Sequence, residues 1–141
     1  MLVHTPTRMP RLAKAYLLVA LLDIVGAVVA VSTGLGGVER TIVSGTAISA
    51  PIPFLAAQLT VVSLATAFAH RRIGTGAAAL LVAMGTLSVL SGFGDGSFSR
   101  ALTTPERAIQ LGIVAATALT VLFALGQVAT AFRNPRRTAT A

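Results

Sequence analysis

Cysteine and tryptophan are both absent, and tyrosine occurs once, at Tyr16. Without cysteine there is no disulfide, no thiolate metal site, no iron–sulfur cluster and no thiol nucleophile. Charge is scarce as well: 11% of the 141 residues carry it, against about 25% in an ordinary soluble domain. Acid is scarcest, confined to Asp23, Glu39, Asp95 and Glu106. The histidines, His4 and His70, stand far apart, so no metal-ligand set forms and neither a metal nor another cofactor is expected. Nor is there a polar stretch longer than a loop or tail. A single domain over 1–141 is expected.

What is present is apolar. Hydrophobic residues make up 55% of the chain and the mean hydropathy is +0.84. A domain this small leaves too much surface in water to hide such a surplus, so its solvent is lipid. A bilayer-crossing helix needs roughly 20 apolar residues. Four runs come close to or exceed that length, at about 12–33, 53–69, 74–91 and 105–132, with outer loops at about 34–52 and 92–104. The expected fold is an all-α integral membrane protein, a four-transmembrane-helix bundle. Pro51 and Pro53 suit a first helical turn, where a missing N–H costs nothing. Thr103-Thr104-Pro105-Glu106 has the capping-box pattern at the head of the fourth run, and Asn134-Pro135 closes it. Only His70 to Ile73 separate the second and third runs, which implies a tight hairpin.

The basic residues orient the chain. Arg8, Arg11 and Lys14 precede the first run, Arg71 and Arg72 separate the second from the third, and Arg133, Arg136 and Arg137 follow the fourth. Those segments share one side of a four-span chain. Arg40, Arg100 and Arg107 fall on the other side, mixed with Glu39, Asp95 and Glu106. Basic residues beside spans stay in the cytoplasm, so both termini are expected inside a multi-pass protein of the cell (cytoplasmic) membrane. The net charge of +7 then reflects topology rather than nucleic-acid binding. Arg71, Arg72, Arg133 and Arg136 are placed to meet anionic lipid headgroups. A cleaved signal peptide fits poorly, because Asp23 interrupts its apolar region and three spans would remain. The Ala-, Gly-, Thr- and Arg-rich composition points to a bacterial source.

Asp23 is the anomaly, a carboxylate in the middle of AYLLVALLDIVGAVVA. Its helical face holds Tyr16, Val19, Ala20, Gly26, Ala27 and Ala30, continuing to Gly34; Leu18, Leu21, Val25 and Val28 lie opposite. Small residues let helices approach and large aliphatic ones suit lipid, so Asp23 faces the bundle interior. A charge there costs about 2.5–3.5 kcal/mol on insertion scales, and no Lys or Arg lies at its depth. Its expected partners are polar residues of the other runs: Thr60, Ser63 and Thr66; Thr86 and Ser88; Gln110, Thr117, Thr120 and Gln127.

One reading makes Asp23 a structural hydrogen-bonding residue. The functional reading is a transport or channel-like unit, or an accessory subunit, built around this carboxylate, with Asp23, Tyr16, Ser63, Thr66 and Gln127 lining a cavity or ion path. It would work as a homo-oligomer or in a larger membrane complex. The alternative is a small membrane-embedded enzyme for a lipid-like or polycyclic substrate, with Asp23 as general acid or base and Tyr16 or His70 assisting. Gly92-Phe93-Gly94-Asp95-Gly96 lacks the strand and helix of a phosphate loop and reads as a turn. Residues 34–50, rich in β-branched side chains around Gly45, are expected to form a small hairpin or an interfacial cap over an outward cavity.

Overall fold

The computed structural model describes residues 9–94 and 96–133. His4, Arg8, Asp95, the Asn134-Pro135 stop, Arg136 and Arg137 lie outside the described residues. Helix accounts for 81% of those described, and they contain no strand. The elements are α1 (Arg11–Ser32), α2 (Val38–Val43), α3 (Ile52–Ala67), α4 (Arg72–Gly94), a single 3₁₀ turn (Ser97–Ser99) and α5 (Thr104–Arg133).

Local signals explain several of these boundaries. The Thr103 backbone N–H donates to Glu106 Oε2 at 2.8 Å, the backward arm of a capping box, and α5 begins at the next residue. Pro51 sits at the N-cap of α3 and Pro53 within its first turn. The α3–α4 turn is tight because Gly74 lets the Phe68 carbonyl pack where a Cβ would stand. α4 runs from Arg72 to Gly94, longer than the expected 74–91, and carries the first residues of the Gly92–Gly96 stretch as helix. The chain then turns at Gly96, whose φ of 74° favours glycine.

α1, α4 and α5 are long and apolar enough to cross a membrane. The expected second span at 53–69 is helical over Ile52–Ala67, within two residues of the expected bounds, but its 16 residues make about 24 Å at 1.5 Å per residue, against a hydrocarbon core of about 30 Å. The four longer helices pack in a ring, α1 against α5, α5 against α4, α4 against α3 and α3 against α1. One end carries the α3–α4 turn and is called the hairpin end. The other carries residues 33–51 and 96–103 and is called the loop end.

The core toward the hairpin end is built from small side chains, with Ala65, Ala78 and Ala124 fully buried around Leu81. On α1 the buried positions are Leu12, Ala15, Tyr16, Val19, Asp23, Gly26 and Ala30. Leu18, Leu21, Val25 and Val28 are exposed. The face carrying Asp23 is therefore the packed face of α1.

At the loop end residues 34–50 form the expected small hairpin only as one antiparallel bridge, between Thr46 and Ser49. They fold as α2 followed by one four-residue turn, Thr46-Ala47-Ile48-Ser49. The Thr46 N–H donates to Ser49 O at 2.8 Å, and the two hydroxyls meet at 2.9 Å. Gly45, with φ 74°, makes the reversal that sends this turn back toward the bundle.

Candidate functional site

Asp23 lies near the middle of α1 and is 2% exposed. Its Oδ1 accepts the backbone N–H of Ala50 at 2.7 Å. The partner is thus a main-chain amide of the connecting segment, and none of the side chains named from the sequence is the partner. Ala50 stands two residues before α3 begins, so the carboxylate also sits beside that helix's N-terminus. N–H groups there are unpaired within the helix, and the backbone dipole favours negative charge. Pro51, the N-cap residue, supplies no side-chain cap of its own. A side chain from another helix supplies the negative group instead.

Gly26, one turn further along α1, makes this arrangement possible. A Cβ at Gly26 would overlap the Ile48 carbonyl oxygen, so only glycine admits the turn so close to the α1 backbone. The Ile48 side chain is 1% exposed. From α5, Gln110 holds the same turn: its Nε2 donates to Ala47 O at 3.0 Å and to Ser97 O at 3.1 Å. Arg107 then fixes Gln110, donating to Gln110 Oε1 at 2.7 Å, and also reaches Phe98 O and Arg100 O at 2.9 and 2.8 Å. One glutamine therefore ties both loop-end connections to one helix. The Ala47, Ser97, Phe98 and Arg100 carbonyls thereby find donors, as main-chain groups away from water must.

The 46–49 turn occupies the space where α3 would continue if it were as long as its neighbours. It is slimmer than a helix and leaves a cavity of about 490 Å³ between itself, the second half of α4 and the facing side of α5. Phe54, Met84, Leu87, Phe98, Ile113 and Val114 give it apolar walls, while Asp23, Gln58, Ser88, Gln110 and Thr117 are polar. A void of about 10 Å³ lies deeper, bordered by Tyr16, Gln58, Leu81, Gly85, Thr117 and Thr120. Below that level Ala65, Ala78 and Ala124 are fully buried. The cavity ends within the bundle rather than running through it.

Of the sequence-derived candidates, Asp23 lines the cavity and Tyr16 borders only the deeper void. The Tyr16 hydroxyl donates to Leu55 O at 2.7 Å, tying α1 to the first turn of α3. Ser63 and Thr66 do not line the cavity. Ser63 is exposed and donates to Leu59 O at 2.8 Å, and Thr66 donates to Val62 O at 2.9 Å, each within its own helix. Thr60 does the same with Ala56 O at 3.0 Å. Gln127 belongs to the hairpin end, where its Nε2 donates to Ala65 O at 2.7 Å and Gly74 O at 3.4 Å. His70 is exposed in the α3–α4 turn, so neither Tyr16 nor His70 joins Asp23 as an acid–base pair.

Gln58 is the residue that sequence reasoning missed. It is 5% exposed, lines both the cavity and the void, and makes no hydrogen bond among the described residues. A signal did exist. Ser and Thr in a helix can satisfy themselves on the carbonyl four residues back and so tolerate a lipid-facing position. A glutamine amide has two donors and an acceptor to satisfy and is driven inward. The inner face of α3 is Gln58, Val62 and Ala65, with the hydroxyls outside.

The site is a pocket with polar groups on its wall at one end of an all-helical bundle, three of whose helices are long and apolar enough to cross a membrane. No protein family, curated protein or solved structure matches the chain.

Proposed function

We propose that the chain is a four-span protein of the cytoplasmic membrane with both termini inside, acting as a small transport-type or accessory subunit whose working part is the Asp23 cavity. The observation that carries this reading is that a buried carboxylate, Asp23, and an amide without a partner among the described residues, Gln58, both stand on the wall of an otherwise largely apolar cavity. Its volume of about 490 Å³ lies within the roughly 300–1,000 Å³ of small-molecule sites. A structural carboxylate alone would not need an empty space beside it.

Four spans follow if α3 and the 46–49 turn share one column. Non-helical backbone is tolerated at bilayer depth where protein buries it, which is the position Gln110 and Asp23 give the turn. Arg11, Lys14, Arg71, Arg72 and Arg133 mark the hairpin end, which is therefore the cytoplasmic one, where Arg71, Arg72 and Arg133 can also meet anionic lipid headgroups. A homo-oligomer or larger complex is not needed to build the pocket, which one chain already encloses. The enzyme reading is the weaker one, because the hydroxyl of Tyr16 is committed to Leu55 and His70 lies at the far end.

Two measurements test this. In intact cells an impermeant maleimide should label Ser44→Cys and Ala101→Cys, and should label His70→Cys only after lysis; labelling of His70→Cys in intact cells would reject the topology. In a strain lacking the gene, Val114→Phe, which fills the cavity from α5, should behave as the deletion while melting like the parent. A folded Val114→Phe protein that restores parental behaviour would reject the cavity as the working part.

A further inference from the structure

The cavity carries information about what it would hold. Among its described lining residues there is one acid, Asp23, and no Lys, Arg or His. Asp23 uses Oδ1 to accept from Ala50, and Oδ2 has no partner among the described residues. The N-terminus of α3 offsets part of this charge, but a helix end amounts to roughly half an elementary charge, less than a full carboxylate. The Gln58 amide, without a partner among the described residues, adds an acceptor oxygen on the cavity wall toward the deeper void. The guanidinium of Arg107 stands behind the wall, bonded to Gln110 and Phe98, and does not line the cavity, so an anion inside would meet the carboxylate with no basic side chain facing it. A cation would meet it in surroundings of low dielectric, where the attraction is strong.

The position of the mouth narrows the class further. Leu87 lines the cavity and is also 64% exposed, on the flank of α4 among other exposed aliphatic residues such as Leu80 and Leu90. Ser44 and Ser91, on either side of the gap between the connecting segment and α4, line the cavity and are exposed as well. The cavity therefore communicates with the side of the bundle near its loop end, and past Leu87 that flank is lipid in a spanning protein, while Ser44 marks the edge nearest the outer surface. A molecule entering past Leu87 needs an apolar part.

We propose that the pocket takes an amphipathic organic cation from the lipid phase, with its ammonium-type head at Asp23 and Gln58 and its apolar part against Met84, Phe98 and Ile113, leaving past Leu87. This rests on the cavity being the working part, and goes beyond it in naming charge, shape and route.

The test uses two probes of matched chain and opposite charge, decyltrimethylammonium and decyl sulfate, titrated into the full chain in nanodiscs of zwitterionic lipid, with empty discs subtracted. The parent should bind the ammonium roughly tenfold or more tightly than the sulfate, as expected for a desolvated charge pair. Asp23→Asn keeps an acceptor for the Ala50 N–H and should abolish that preference. Ser88→Lys places a cation on the opposite wall without touching the Asp23–Ala50 bond, and should reverse it. Ser88→Trp narrows the cavity and should weaken both probes. Equal affinities in the parent, or an undiminished preference in folded Asp23→Asn, would overturn the cationic class while leaving the pocket standing. Failure of both probes to bind saturably would overturn the pocket with it.

Discussion

The two ends of the bundle solve the same packing problem with different materials. At the hairpin end, small residues bring the helices together, and one polar clip, Gln127, binds the Ala65 and Gly74 carbonyls. At the loop end, α3 stops early and a four-residue turn takes over its column, held by Asp23 and Gln110. The first end is closed by small side chains; the second is held by hydrogen bonds to a main-chain turn and leaves a cavity. Backbone inserted in place of a helix needs polar side chains to satisfy it, and those side chains bring polarity into the core. The feature that makes the loop end costly to build is therefore also the one that puts polar groups on the cavity wall.

Gly26 should separate the two ends most sharply. Gly26→Leu forces the Ile48 carbonyl, and the turn with it, off α1, an overpacking cost of about 1–3 kcal/mol or more. Gly126→Leu, toward the hairpin end of α5 with open space around it, should be nearly silent. A detergent melting series in which both glycines behaved alike would mean that the turn does not dock on α1.

The glutamines come next. Gln110→Ala leaves the Ala47 and Ser97 carbonyls without that donor, costing about 1–3 kcal/mol if they stay buried. It should also open residues 44–51 to limited proteolysis. Gln127→Ala should lower stability without exposing that segment. Equal proteolytic patterns would erase the distinction between the ends.

Smaller effects should follow from the helix signals. Glu106→Ala removes one arm of the α5 capping box and should cost about 1 kcal/mol. Ser63→Ala removes a self-satisfied hydroxyl on an exposed face and should change stability by less than about 0.5 kcal/mol. A larger loss at Ser63 than at Glu106 would place α3 in the wrong rotation about its axis.

These contrasts match what the sequence did and did not disclose. The capping box at Thr103–Glu106 was legible because its signal is local, a donor and an acceptor three residues apart. The inward face of α1 was legible because glycine and alanine cluster on one side and leucine and valine on the other. The rotation of α3 was not, because Thr60, Ser63 and Thr66 look like a polar stripe until each is allowed to bond its own helix. Nor could the partner of Asp23 be read from residue types, since it is a main-chain N–H at Ala50 that any residue except proline provides. The start of α3 was legible from Pro51 and Pro53, but the docking of the turn before it on α1 was not, because residues 46–50 are as apolar as a helix end and only Gly45 and the two prolines hint that the chain is turning.

The most direct measurement is hydrogen exchange at the Ala50 amide, read by NMR on the chain in nanodiscs. If the segment before α3 is docked inside the bundle on Asp23, this amide is protected in the parent, retains part of its protection in Asp23→Asn, and exchanges far faster in Asp23→Ala while the amides around Ala78 stay unchanged. Rapid exchange at Ala50 in the parent, or protection that Asp23→Ala leaves intact, would contradict the docking of this segment on Asp23.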